Sequence, residues 1–261
     1  MIIFAQGVNL DISSYFINKM VNILEIKNSN LTEKIEAHEK IGGALRISVF
    51  EIKENHLGQL PDEYDAHLIT ARQTLEKQNF EWNFHFNKVA YKNKRKSIAY
   101  AQTDFDKLDP SGQKINLLHF LGPHFDLNKI KPFIRGQLGN DTLNSYFHYA
   151  KSELPENKID ITAIDAIYRK LYQGNEGYFI HALMEPPYGL SLGKEIYLRG
   201  KYLLEFLEYF FSDLNELTIY AWDTNCSVIF DAGKEWWGSY FWTVFNPTKK
   251  WYIGIIASET D

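Results

Sequence analysis

The spacing of apolar residues along this chain alternates between two periods, and the changes of period outline its elements. Leu45, Ile47 and Val49 alternate with Arg46, Ser48 and Phe50 in "ALRISVFEI", which predicts a half-buried strand, because side chains two apart share one face of a sheet. The next segment, "PDEYDAHLITARQTLEKQ", predicts a helix of about four turns ending near Asn79. Pro61 suits its first position, and Asp62, Glu63 and Asp65 lie where the positive end of the helix dipole favours acids. Beyond it, "FEWNFHFNKVAY" and "KSIAYAQTDF" read as paired strands across the basic tip "KNKRK". The last third predicts an apolar helix in "EIYLRGKYLLEFLEYFFSDL". Strands are predicted in "GYFIHALME", "LTIYAWD", "CSVIFD", "SYFWTVF" and "KWYIGIIAS". Asn246-Pro247-Thr248-Lys249 joins the last two with type I turn chemistry.

Less periodic stretches complete the outline. "MIIFAQGV" reads as a short strand and residues 12–26 as a helix capped by Asp11 or Ser13, followed by "KNSNLTEK" as a loop. Three helices are expected between 126 and 173, in "DLNKIKPFIRGQLG", "DTLNSYFHYAKSEL" and "DITAIDAIYRKLYQ", each opened by an aspartate, with Pro132 kinking the first. The class is α+β, a mainly antiparallel sheet packed by helices and closed by a C-terminal β-hairpin. A composition shift divides the chain into an N-terminal α+β region, 1–125, and a region 126–261 with helices followed by further α+β structure. No repeat or Gly/Ser linker separates them, which leaves one domain or two open.

Composition narrows the function classes. With 261 residues, 45% of them hydrophobic, the chain can bury a core without metal or disulfide support. Cys226 is the single cysteine, which excludes an intrachain disulfide and favours a reducing compartment, the cytoplasm. There is no basic leader ahead of a hydrophobic run, and no apolar stretch long enough to span a bilayer. A net charge of −5 with mixed signs argues against nucleic acid and mildly favours a basic partner. Trp82, Phe84, Phe86, Tyr91 and Tyr100 beside Lys92–Lys96 have the ingredients of a single-strand stacking platform, but strand alternation would bury three of them on one face.

Catalytic motifs are few. Gly189-Leu190-Ser191-Leu192-Gly193 matches the nucleophile-elbow pattern, yet the last histidine, His181, precedes the serine, so the chain order of an α/β-hydrolase triad is not met. Cys226 beside "SVIF" has the composition of a small buried residue. An enzyme of unrecognised family, a hydrolase using Ser191 or Cys226, is the alternative class. Histidine spacing offers no metal motif, phosphate-binding loops are absent, and no cofactor is implied. Asp62, Glu63, Asp65 and His67 are explained by helix-start chemistry. A carboxylate pair at Asp223 and Asp231 fits solvated loops better than a glycosidase site.

Three of the six tryptophans, Trp236, Trp237 and Trp242, fall within seven positions. If Trp236 and Trp237 are extended, one enters the core while the other faces outward. Trp242 belongs to a strand covered on both faces, so "DAGKEWWG" is the stretch suited to a surface site. Asp223, Asp231, Lys234, Glu235, Trp236 and Trp237 are the candidate partner-binding residues, carboxylates facing cations and a tryptophan serving as anchor. The stretch from Trp222 to Asn246 resembles C-terminal segments of uncharacterised bacterial proteins, some of them similar to immunity partners of contact-dependent or secreted toxins. The resemblance covers about the last forty-five residues and rests on Phe230, Asp231, Gly233, Trp236, Trp237, Gly238 and Trp242. It implies an intracellular, single-cysteine, mildly acidic protein that binds another protein; the leading expectation is a non-catalytic protein that binds a protein partner, a basic toxin domain, and blocks it.

Overall fold

The computed structural model describes residues 22–55, 57–93, 100–122, 125–126, 131–138, 141–146, 178–193 and 196–259. Its strands are β1 (Asn22–Glu25), β2 (Leu45–Lys53), β3 (Gln113–Ile115), β4 (Phe125–Asp126), β5 (Lys131–Leu138), β6 (Asp141–Tyr146), β7 (Thr218–Ala221), β8 (Ser239–Asn246) and β9 (Trp251–Ser258). Its helices are α1 (Ser29–Lys40), α2 (Glu63–Lys92), α3 (Phe105–Leu108), α4 (Leu117–Leu121), α5 (Phe179–Met184), α6 (Ile196–Phe211) and α7 (Asp231–Lys234). Six strands form one sheet in the order β1-β2-β9-β8-β7-β3, antiparallel at every pairing. It draws strands from both sides of residue 125. β4, β5 and β6 form a smaller antiparallel sheet.

Register explains why the central strands read as apolar on both faces. Leu45, Ile47 and Val49 pair with Ala257, Ile255 and Ile253, which in turn face Tyr240, Trp242 and Val244. This face packs on α1, α4, α5 and α6 through Leu31, Phe120, Phe179, Leu203, Phe206 and Phe211. On the opposite face Ile256 and Phe241, with Tyr220 and Trp222, meet Ala71 and Leu75 of α2 and Leu108 of α3. The sheet is thus covered by helices on two sides, and near-continuous hydrophobic strands follow from that. Where α2 crosses β9, Gly254 makes room: a Cβ there would lie 1.8 Å from Thr74 Oγ1. Thr70 and Thr74, buried on this approach, donate their hydroxyls to the Ala66 and Thr70 carbonyls of their own helix.

Strands β2, β7, β8 and β9 and helix α6 fulfil the sequence expectations, including the closing hairpin, whose ends Asn246 and Trp251 pair. Its turn starts one residue later than expected. The Pro247 carbonyl accepts from Lys250 N–H at 3.3 Å and Lys250 takes φ +55°. Asn246 stays in the ladder, fully buried, its amide donating to Phe210 O and its Oδ1 accepting from Lys249 N–H.

Several expectations are corrected. "KNSNLTEK" is not a loop but opens α1: Asn28 accepts from Leu31 N–H at 2.8 Å, and Leu31, Ile35 and His38 recur at helical spacing on the buried side. Asn22–Glu25 is a strand, not the end of a helix over 12–26; the rest of that helix and "MIIFAQGV" lie outside the described residues. Helix α2 does not stop at Asn79 but runs for 30 residues, absorbing the strand expected in "FEWNFHFNKVAY". Its cap is Asp62, so Pro61 precedes the helix rather than opening it. No glycine or proline interrupts Glu63 to Lys92, and a nucleated helix propagates through aromatic residues that alone would favour a strand. The returning chain lies along the helix: Asn79 donates to Thr103 Oγ1, and Asn83 both donates to the Ala101 carbonyl and accepts its N–H. No strand forms over Tyr100–Asp104, and Phe105 begins α3; Lys94 to Ala99, most of the expected basic tip, lies outside the described residues.

The helices expected from 126 and 141 are replaced by β5 and β6. Leu138 pairs with Asp141, leaving Gly139-Asn140 between them, a dipeptide that signals a two-residue hairpin. Gly136 and Pro132 also weaken a helix there. Residues 147–177, with the third expected helix, lie outside the described residues. "GYFIHALME" forms α5 instead of a strand, its short apolar run being buried on nearly every side, a pattern that fits either element. "CSVIFD" is not a strand: 3-10 turns at Thr224–Cys226 and Val228–Phe230 lead into α7.

Candidate partner-binding surface

Every residue singled out for partner binding lies between β7 and β8, in a segment folded on itself rather than extended. Asp223 Oδ1 accepts from both the backbone and the side-chain amide of Asn225 at 2.9 Å, closing the first 3-10 turn. Lys234 Nζ donates to Thr224 O, Asn225 Oδ1 and Asp231 Oδ1 at 3.0, 3.0 and 3.2 Å. These bonds link Asp223 to Asp231 through Asn225 and Lys234. The two carboxylates are therefore occupied with holding the segment, and Lys234 is a brace rather than a cation offered outward.

Two glycines fix the bend. A Cβ at Gly233 would lie 2.2 Å from Gly238 O, and Gly238 takes φ +122° with its N–H on Gly233 O at 2.7 Å. Gly233 N–H donates to Ser258 Oγ at 3.1 Å, and Ser239 Oγ donates to Phe230 O, so the bend is fastened to the ends of both hairpin strands. Trp237 then turns inward. It is 7% exposed, packs near His181 and Tyr240, and donates its indole N–H to the Glu185 carbonyl at 2.8 Å. Trp236 turns outward and is 55% exposed. One tryptophan in and one out is the expected division, produced by a turn and not by strand alternation. Trp237 is corrected from partner-binding candidate to core residue.

Between this segment and residues 102–109 lies a cleft of about 1010 Å³ that sequence reasoning did not find. Asp104, Asp106, Asp109 and Asp231 line it against Arg72, Lys107 and Lys234. Each cation has a carboxylate partner: Arg72 Nε donates to Asp109 at 2.9 Å, Lys107 meets Asp104 at 3.3 Å, and Lys234 meets Asp231. Arg72 also lies over the Phe105 ring at 4.4 Å. Four carboxylates against three cations give the cleft a mild excess of negative charge, and Glu235 and Trp236 follow Lys234 in the chain without lining it. The 102–109 wall carries no motif; only its acidic composition and the helix-breaking Asp109-Pro110 mark it.

The catalytic alternative rests on Cys226 and Ser191. Cys226 is buried, and desolvation pushes its thiol up to about 12, the Asp223 charge adding to the effect, so it remains a protonated thiol near neutrality. Ser191 lies in a loop between Gly189 and Gly193, both at positive φ, and its N–H donates to Ile41 O at 2.7 Å. The element before it is helix α5, where a nucleophile elbow requires a strand. His67 does not join an acidic metal cluster: it is buried on the sheet-facing side of α2, with Nδ1 2.8 Å from Thr243 Oγ1. Among the described residues no group of three or more His, Cys, Asp or Glu side chains could hold a metal ion, and no helix is long and apolar enough to cross a membrane.

No family model, curated protein or solved structure matches the chain.

Proposed function

We propose that this chain is a non-catalytic cytoplasmic protein that binds another protein, a basic bacterial toxin domain, and neutralises it by occlusion. The observation that carries the proposal is Trp236, which stands 55% exposed on a bend that Trp237 and two glycines fasten to the core. A large exposed aromatic on a backbone already fixed by its neighbours can be desolvated by a partner with little further backbone ordering, the property of an interface anchor. Asp106 lines the cleft and Glu235 precedes Trp236 in the chain, and carboxylates so placed attract a cationic surface, setting the rate of encounter more than the affinity. Cys226, buried and without a disulfide, agrees with a reducing cytoplasm.

Affinity purification of the tagged chain from its source, beside a Trp236→Ala variant of unchanged thermal stability, tests this. The expected outcome is a stoichiometric partner whose affinity falls at least tenfold in the variant, and which is toxic when expressed without this chain. A partner held equally well by Trp236→Ala, or one harmless alone, would refute the binding site or the immunity role respectively.

A further inference from the structure

The two helical layers grip the large sheet unequally. On one face Phe120, Phe179, Leu203, Phe206, Phe210 and Phe211 are buried against the strands. On the other, α2 buries Ala66, His67, Thr70, Ala71, Thr74 and Asn79 with a single large aliphatic side chain, Leu75, while Tyr64 and Leu68 are only partly buried. Beneath α2 one row of paired residues crosses the sheet with little aliphatic surface: Ser48 beside Gly254, then Thr243, Tyr220 and Lys114. Thr70 and Thr74 turn their hydroxyls back onto their own helix, and Ser48 Oγ is buried without a hydrogen-bond partner. His67 reaches Thr243 through Nδ1, but its Nε2 is likewise buried and unpartnered. Each such group weakens the interface, because it gives up water and gains nothing in exchange. A helix held by few apolar contacts over unsatisfied polar groups is a unit of low local stability.

We propose that α2 is a detachable cover, which undocks from the sheet as a unit at a lower free energy than global unfolding requires, and that acid drives the undocking through His67. The groups facing that ring are Glu63 on α2, Lys114 on β3, Tyr220 on β7, Thr243 on β8 and Tyr252 on β9. Trp222 Nε1 already donates to Thr243 Oγ1 at 2.9 Å, so an imidazolium would place its Nδ1–H on that oxygen and leave its Nε2–H with no acceptor. Glu63, the one carboxylate among the facing groups, is engaged by Tyr220 at 2.9 Å and by Lys114 at 2.7 Å. The docked ring therefore stays neutral, and the undocked ring takes up a proton in water. Undocking also dismantles the cleft beside the 223–238 bend. Asp109, Thr103 and Ala101 are bound to Arg72, Asn79 and Asn83 and move with α2, whereas the bonds from Ser227 Oγ to Asn79 and from Asp104 N–H to Cys226 O span the parting and break. The cleft thus exists in the docked state alone.

Hydrogen exchange of the full chain, read by mass spectrometry, is the test, with protection taken relative to an unstructured chain at the same pH. At pH 7.5 peptides covering Ala66–Asn79 should be about a hundredfold less protected than those of β8, β9 and α6, which should open only on global unfolding. Between pH 7.5 and 5.5 a histidine released from burial favours the open state by about tenfold, given an unfolded pKa near 6.5. The α2 peptides should therefore lose about tenfold in protection, whereas the strands, whose opening releases His38 as well, should lose about a hundredfold. His67→Leu should remove the acid loss from α2 and leave the strands a loss of about tenfold. Equal protection of α2 and the strands at pH 7.5, an α2 protection that does not fall with acid, one common acid slope, or an α2 slope unchanged by His67→Leu would each overturn the proposal. The first three are read on the native chain and do not depend on how the variant folds.

Discussion

Lowering the pH from 7.5 to 5 should remove a large part of the folding free energy through two histidines, His38 and His67. Both are buried, and desolvation holds their folded-state pKa at about 4 and about 3. His38 is sealed between Gly43, Tyr202 and Phe206, its Nε2 accepting Leu45 N–H at 3.2 Å, so protonation there sets two donors against each other. The Arg46 cation lowers its pKa further. His67 lies against Tyr220 and Tyr252 with Nε2 lacking a hydrogen-bond partner; Glu63 raises its pKa and Lys114 lowers it, neither enough to outweigh burial. An unfolded histidine titrates near 6.5, so between pH 6.5 and 5 the unfolded chain takes up protons that the folded chain refuses. Stability is therefore complete above 6.5 and falls with pH, by about 2 kcal/mol per histidine at pH 5. Some 4 kcal/mol together is a major share of a typical 5–15. Glu25 and Glu63 have lowered pKa values and lose their charge below this window, which isolates the histidine effect. Urea unfolding followed by tryptophan fluorescence at pH 7.5, 6.5, 5.5 and 5.0 measures the slope. His67→Leu should halve it and His38→Gln/His67→Leu should nearly abolish it. A flat profile in the native chain, or an unchanged slope in the double variant, would refute the burial argument.

Two further outcomes follow from packing. Trp237→Ala should cost about 3–5 kcal/mol by thermal or urea unfolding, since it empties a core site and strands the Glu185 carbonyl, whereas Trp236→Ala should stay within about 0.5 kcal/mol. Gly254→Ala should destabilise by about 1–3 kcal/mol, because its Cβ collides with Thr74 on α2, and Thr74→Ala in the same chain should recover part of that loss.

How far the fold was legible depends on whether local pattern and tertiary context agree. In β2, β8 and β9 they agree: β-branched and aromatic residues fill a pleat whose register matches the turn at Pro247–Lys250. The antiparallel sheet and its hairpin are therefore readable from local sequence. In α2 they conflict. Trp82, Phe84 and Phe86 alternate as a strand would, yet nothing breaks the helix begun at Asp62, and the alternation records an aromatic surface spread around the helix rather than a pleat. Gly254 carried a positional signal, a glycine inside a strand marking the close approach of another backbone, but the identity of the approaching element was not in the local sequence. The same distinction governs the candidate site. Tryptophan clustering located the bend, while the inward turn of Trp237 depends on the Glu185 carbonyl, 52 residues distant in sequence. The cleft depends on the 102–109 segment, which the pairing of Asn79 and Asn83 with the returning chain sets beside α2. A surface assembled from two segments more than a hundred residues apart leaves no periodic trace in either. What each segment does show is its chemistry: carboxylates in one, and in the other carboxylates with an aromatic that the core declines to take.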